Sequence, residues 1–475
     1  MESLLERDGA PSEWGVEPVP PGSRVLSARD LAVLWGDLGI GLLVLVTGAI
    51  LVPALGFVQA LIAIALGSVI GVGLLGFAGS LGARHGVPTM ALFRPVLGIR
   101  GSWLPSALNV MQLVGWTAVE LWAMSYVADL VANEVFGFSA RGLWLTIAAV
   151  VCTGLALWGP VGVTRVWLER FGVWVIVAIS LVITVLLLTR DGIGDALTSP
   201  GTGGFPTFGS ALDLVIAMPI SWLPLVADYT RFAARPRAAF VGTFWGYLVA
   251  NVWLYTLGAL LVLTESAAPS PEGIAVGILA IAGGSVAGLL FLVGLLVGET
   301  DEAFADIYSG AVSLQNIFPR LSVRVSTIGI AAVATVLAAW LNMARYEVFL
   351  FLIGSVFVPL FGVLIAVYVA GRPRRLLDPV GEWNATELIP PGVRLDALWP
   401  WLAGFVAYHW VAPTGPTWWT DLVNTVFGSP LSVRFPWLSA SLVAGSLSFA
   451  LMWLSTRRKD LQPLSSSSTP TRGRG

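Results

Sequence analysis

The chain has 475 residues, 56% of them hydrophobic and only 11% charged, with a formal net charge of −2. Mean hydropathy is +0.83, whereas soluble domains carry about 25% charged residues, so the composition excludes a soluble globular protein and a basic nucleic-acid surface. The single cysteine, Cys152, excludes an intramolecular disulfide framework, and the lone lysine, Lys459, leaves no G-x-x-x-x-G-K-[ST] phosphate loop.

At ~20 apolar residues per crossing, the length leaves room for about twelve membrane spans. Residues 1–30 hold several acids with Pro11, Pro18, Pro20 and Pro21, and no apolar run with a cleavage site, so no signal peptide is expected. Apolar runs then predict helices at 31–53, 57–80, 104–132, 142–160, 165–189, 208–229, 240–264, 274–306, 325–342, 346–370, 397–412 and 435–456. Residues 457–475 form a Ser/Pro/Arg tail expected to be disordered. With the N-terminus cytoplasmic, this layout puts 22 of the 26 Arg and Lys residues inside, leaving Arg141, Arg190, Arg345 and Arg434 outside. The positive-inside rule therefore supports both the helix count and cytoplasmic termini in a plasma (inner) membrane.

Two spans are predicted to break. The first opens Trp35-Gly36-Asp37-Leu38-Gly39-Ile40-Gly41, and three glycines with a carboxylate weaken a helix there. The sixth contains Pro219 and Pro224, each removing a backbone donor. The two are five spans apart and so cross in opposite directions. Interrupted helices at matching places in inverted halves point to a transporter binding site. Small-residue pairs elsewhere, Gly67 with Gly71, Gly284 with Gly288 and Gly294 with Gly298, are read as packing.

Polar groups inside spans mark candidate chemistry. Asn109, Gln112, Trp116 and Glu120 share one face of the third helix. An indole plane can stack on a flat heterocycle while an amide and a carboxylate read its edge. The eighth span ends Glu299-Thr300-Asp301-Glu302-Ala303-Phe304-Ala305-Asp306. Asp306 and Glu302 are placed at the cytoplasmic interface, solvated or paired with Arg320. Glu299, Thr300 and Asp301 lie deeper, where a hydroxyl and carboxylates suit Na⁺ or a carboxyl carries a proton. Asp228 is assigned to pairing with an arginine or to capping. His85 and His409 are assigned to interfaces, and no H-E-x-x-H or C-x-x-C motif accompanies them.

Several stretches together resemble the nucleobase–cation symporter family of cytosine, purine, allantoin and hydantoin permeases. They are Gly86 to Met90 with Arg94-Pro95 and Gly98, Arg100 to Pro105, Gly115-Trp116, Ser221 to Pro224, Ala227 to Phe232, and Phe304 to Ser309. The likeness covers about residues 30–456 and is strongest to the cytosine and hydroxymethylpyrimidine permease branch. It implies an all-α integral membrane protein of twelve transmembrane helices, a leucine-transporter-type five-plus-five inverted repeat with two extra helices. The first repeat would be 31–189, the second 208–370, and the extra pair 397–456. By the resemblance, Trp116 stacks on substrate and Glu120 stands where hydantoin-type relatives have an amide. Pro219 takes the place of a second aromatic, with Trp222 as a shifted substitute, and Ser221 matches a polar contact. Gly36 and Gly39 match the first-helix part of a sodium site. Glu299-Thr300 replaces two neighbouring hydroxyl residues, which leaves Na⁺ and H⁺ both open.

The sequence reading is a secondary active transporter importing a nucleobase-like heterocycle by Na⁺ or H⁺ symport. The expected substrate is a pyrimidine such as cytosine or hydroxymethylpyrimidine. Substrate contacts are assigned to Gln112, Trp116, Glu120, Pro219, Ser221, Trp222, Asp37 and Asp301. Purine, hydantoin or allantoin symport is the alternative within the fold. A channel, a non-transporting sensor or a lipid-acting membrane enzyme are the other classes. No cofactor, nucleic acid or obligate protein partner is expected.

Overall fold

The structure, a computed structural model, describes residues 15–159, 173–283, 286–341, 343, 346–370 and 389–460. Those residues form helices, and the only β-type pairing among them is an isolated bridge between Leu26 and Ala233. The start of the fifth predicted span, residues 1–14, Gly284 of the predicted small-residue pair, Arg345, the 371–388 connection and residues 461–475 lie outside the described residues.

The first span is two helices, α1 (Ala28–Asp37) and α2 (Leu42–Ile50), bent by 63°. A capping box fixes the start of α1, with Ser27 accepting from the Asp30 N–H and Asp30 from the Ser27 N–H. After α1 come α3 (Phe57–His85), α4 (Trp103–Phe136), α5 (Arg141–Trp158) and α6 (Val173–Leu188). The sixth span is also split, into α7 (Phe208–Trp222) and α8 (Val226–Thr230), separated by Leu223-Pro224-Leu225. Both expected breaks are therefore present.

The remaining main helices are α9 (Pro236–Glu265), α10 (Pro271–Ile281), α11 (Val286–Ile317), α12 (Val323–Trp340), α13 (Tyr346–Val369), α14 (Leu395–Val411), α15 (Thr417–Phe427) and α16 (Ala440–Asp460). Two outcomes correct the predicted layout. The eighth span, expected at 274–306, is the short α10 followed by the 32-residue α11, the chain turning at Gly283 with φ +67°. The last span begins at Ala440 rather than 435, and α15 was not foreseen. Among the described residues, five helices (α3, α5, α9, α12 and α13) are individually long and apolar enough to cross a bilayer, and the α1–α2 pair makes a sixth.

Two groups of helices pack around the breaks. In one, α1, α2 and α3 lie against α9, and α3 against α7 and α8; in the other, α4 lies against α11, α12 and α5. The first group closes tightly because two glycines meet backbone. A Cβ on Gly48 would strike the Tyr255 carbonyl, and one on Gly258 the Leu45 carbonyl. The Gly67 and Gly71 pair is packing, as expected, against Val215 and Pro219.

An N-terminal strap ties the ends of these helices together. The Leu26 N–H donates to the Phe232 carbonyl at 2.8 Å, and the Ala234 N–H returns to Leu26 at 2.9 Å. The Val19 N–H reaches Gly86 at 2.8 Å. The fully buried Arg231 donates to the Gly15 carbonyl, to the Tyr308 hydroxyl and to the Asp228 carbonyl.

Candidate functional site

Breaking a helix frees backbone groups that must find partners away from water. Pro219 cannot donate to the Val215 carbonyl, and the Tyr255 hydroxyl does so instead at 3.2 Å. Where α7 ends, Gln112 Nε2 donates to the Ser221 carbonyl at 2.9 Å and Asn109 Nδ2 to the Pro224 carbonyl at 3.4 Å. Gln112 also donates to Asn109 Oδ1, and Asn109 to the Ser313 hydroxyl. These amides thus brace the sixth-span break from the other helix group.

At the first break, α2 starts at Gly41, and its leading N–H, on Leu42, donates to Glu299 Oε1 at 2.6 Å. A carboxylate at a helix N-terminus also meets the positive end of the helix dipole. A Cβ at Gly41 would run into the carboxyls of Glu302 and Glu299, which would have to move aside. Asp37, at the end of α1, and Asp301, on α11, are both buried. Thr300 turns its hydroxyl onto its own helix, donating to Val297 at 2.6 Å. The Gly36 carbonyl accepts from Leu38 and Gly39 and closes the last turn of α1.

Between the two breaks lies a small enclosed cavity lined by Trp116, Glu120, Met218, Ser221, Trp222, Glu302 and Asp306. In this conformation it has room for little more than a water molecule. Each lining side chain is at most 5% exposed. Tyr346 and Phe349 pack edge-on against Trp116, and Trp35 meets Trp222 in the same way. The Glu120 and Asp306 carboxyls both reach this cavity, one from α4 and the other from α11.

Of the residues assigned from sequence, Trp116, Glu120, Ser221 and Trp222 meet at this cavity. Gln112 stands one turn away as a brace. Asp37, Asp301, Glu299 and Thr300 cluster at the first break beside it. Pro219 points to Gly71 and not into the cavity, whose wall there is the neighbouring Met218.

Glu302 and Asp306 correct the sequence reading most directly. They are 3% and 2% exposed and line the cavity, and they neither lie at a solvated interface nor pair with Arg320. The cause is the length of α11, which continues eleven residues past Asp306. A signal was available, because Glu299, Glu302, Asp306, Ser309, Ser313 and Asn316 recur at alternating steps of three and four. All six are buried; Glu299 and Glu302 meet the start of α2, while lower down Asn316 meets Ser102 and Ser106 and Ser313 meets Asn109 along α4.

Asp228 does cap, as one of its expected roles, but it caps the distant turn that begins at Thr89, accepting from the Thr89 N–H at 2.9 Å, and not the segment that follows it. His409 is buried among protein groups, with Nδ1 accepting from Trp419 Nε1 at 3.1 Å.

Discontinuous helices from two packed groups, meeting around a buried aromatic and polar cavity, are the arrangement of a membrane transporter. The chain belongs to the family described as permeases for cytosine/purines, uracil, thiamine and allantoin, whose family profile matches residues 18–378. It is similar to the cytosine permease of Escherichia coli (strain K12), 26% identical over 400 residues, covering 81% of this chain and 85% of the relative. The hydantoin permease of Microbacterium maritypicum is 24% identical over 395 residues, covering 79% and 78%. Among solved structures, the fold matches Mhp1, a nucleobase-cation-symport-1 family transporter, closed with bromovinylhydantoin bound. The TM-score is 0.76 at 21% identity, over 96% of each chain. The inward-facing form of Mhp1 matches with TM-score 0.73 at 19% identity, over 94% of this chain and 93% of that one. The protein is a membrane permease and not an enzyme.

Proposed function

We propose that the chain imports a nucleobase-like heterocycle, a pyrimidine such as cytosine or hydroxymethylpyrimidine, by Na⁺ or H⁺ symport through alternating access. The observation that carries this reading is the cavity between the two helix breaks, where Trp116 and Trp222 offer indole surface beside Glu120. A flat ring stacked on an indole gains contact area and orientation together. An exocyclic amine can then donate to a carboxylate, while the break itself supplies the hinge on which the helix groups part. The cation acts beside the first break, at Glu299 and Thr300. Thr300 donates its hydroxyl hydrogen to Val297 and so keeps oxygen lone pairs for sodium, whereas a proton requires only the carboxyl. Twelve spans, with both termini cytoplasmic in the plasma (inner) membrane, complete the proposal. The first inverted repeat is 31–189, the second 208–370 and the extra pair 397–456. The second reading, a hydantoin or allantoin substrate, is favoured by the hydantoin permease relative.

Ligand-induced stabilisation of the purified protein tests this directly. A ligand that binds only the folded state raises the unfolding midpoint with log concentration. The expected result is a shift with one pyrimidine that grows with sodium or with a change of pH. The absence of a shift with any pyrimidine, purine, hydantoin or allantoin refutes the proposal.

A further inference from the structure

The hydrogen-bonding inventory of the cavity says what kind of heterocycle it takes. Three of the groups that face it are carboxyls, on Glu120, Glu302 and Asp306. Each has a buried oxygen without a protein partner: Glu120 Oε2, Glu302 Oε1 and Asp306 Oδ2. The Ser221 hydroxyl is turned away, donating to the Met218 carbonyl at 2.6 Å. The donors of the lining are the indole N–H groups, that of Trp116 being buried without a partner. The wall is therefore rich in acceptors and nearly bare of donors.

It also lacks countercharge. Among the described residues no Arg, Lys or His pairs with Glu120, Glu302 or Asp306. Arg231, buried on the strap side, spends its donors on Gly15, Tyr308 and the Asp228 carbonyl. A neutral imide ring satisfies some of these oxygens through its N–H groups but turns its carbonyl oxygens toward the others, and orphaned acceptors are costly when buried. A ring with amino or amidinium edges supplies the missing donors and the missing charge together. Indole faces favour the same ligand, since they attract cations.

We infer that the transported species is a cationic aromatic heterocycle, an amino-substituted azine that is protonated or permanently charged, with Glu302 and Asp306 joining Glu120 as its acceptors. This deepens the proposed function and rests on the reading of the cavity as the transport site.

The test compares 2,4-diaminopyrimidine, its N1-methyl quaternary salt and uracil on the full-length purified protein by calorimetric binding. The first two present amino donors where uracil presents carbonyls, on the same ring. At mildly acidic pH, where 2,4-diaminopyrimidine is protonated, both cations are expected to bind at least about thirtyfold more tightly than uracil. The quaternary salt keeps that affinity at higher pH while the titratable probe weakens. Glu302→Gln and Asp306→Asn are expected to narrow the gap between cation and uracil. Should either variant fail to fold, the wild-type comparison decides alone. Uracil or hydantoin binding as tightly as the cations overturns the inference and leaves the transporter reading standing. Failure of the cations together with every nucleobase and hydantoin overturns both.

Discussion

Replacing Gln112 by leucine separates a brace from a substrate contact. Gln112 Nε2 makes two bonds, to the Ser221 carbonyl and to Asn109 Oδ1, both at 2.9 Å. Leucine has a similar size but no donor, so both acceptors are left buried and unsatisfied. Each such orphan costs ~1–3 kcal/mol. Gln112 Oε1 has no partner in the wild type, and removing it recovers roughly 1 kcal/mol. The net loss is about 1–5 kcal/mol. Equilibrium unfolding in mixed micelles measures it. Because the break that carries Ser221 and Trp222 then shifts, the affinity of every heterocycle should fall by a similar factor. An unfolding free energy within about 0.5 kcal/mol of wild type, the range of neutral surface changes, would refute the reasoning. So would loss of affinity confined to one ring.

Trp116→Ala should weaken binding of all flat heterocycles by about tenfold or more, with Trp116→Phe recovering part of it, as read by calorimetry. Asp213 accepts from the Ser439 hydroxyl and from the Ala440 and Ser441 N–H groups at 2.9 Å, capping α16. Asp213→Ala should therefore speed amide exchange at Ala440 and Ser441 by roughly a hundredfold, equivalent to ~3 kcal/mol of lost protection. Gly258→Leu pushes a side chain into the Leu45 carbonyl. It should cost ~1–3 kcal/mol of stability and abolish uptake into proteoliposomes, because the α2–α9 approach is backbone to backbone.

Both helix breaks were legible because proline and clustered glycine act locally, and Pro219, Pro224 and Gly41 lie at or beside the broken segments. The partners that make the breaks tolerable were not. Tyr255 lies 40 residues from Val215, and Gln112 lies 109 residues from Ser221. Trp116 and Glu120 were found because one turn of helix carries both. Glu302 and Asp306 were misplaced because falling hydropathy was taken for emergence from the bilayer. Hydropathy reports average polarity and not which neighbour covers it, so a polar seam between two helices looks like a solvated end. Its heptad-like spacing distinguishes the two cases. Pro219 was assigned by analogy of position, and a single step along α7 exchanged it for Met218.

The contacts joining the two helix groups between the cavity and the N-terminal strap have an energetic character of their own. Four bonds cross there: Asn109 to Pro224, Gln112 to Ser221, Tyr229 to Ala305 and Arg231 to Tyr308. Water entering from that side can take over each of them, so each is worth a net ~1 kcal/mol, or about 4 kcal/mol in all. A gap of a few kcal/mol is the range in which a second conformation stays thinly populated and a bound ligand can enlarge its share. An interface of interdigitated leucines would have to be refilled by water at a steeper cost per opening. On the proposed alternating-access reading this is the half of the boundary that parts, trading protein hydrogen bonds for solvent ones without dismantling either helix group.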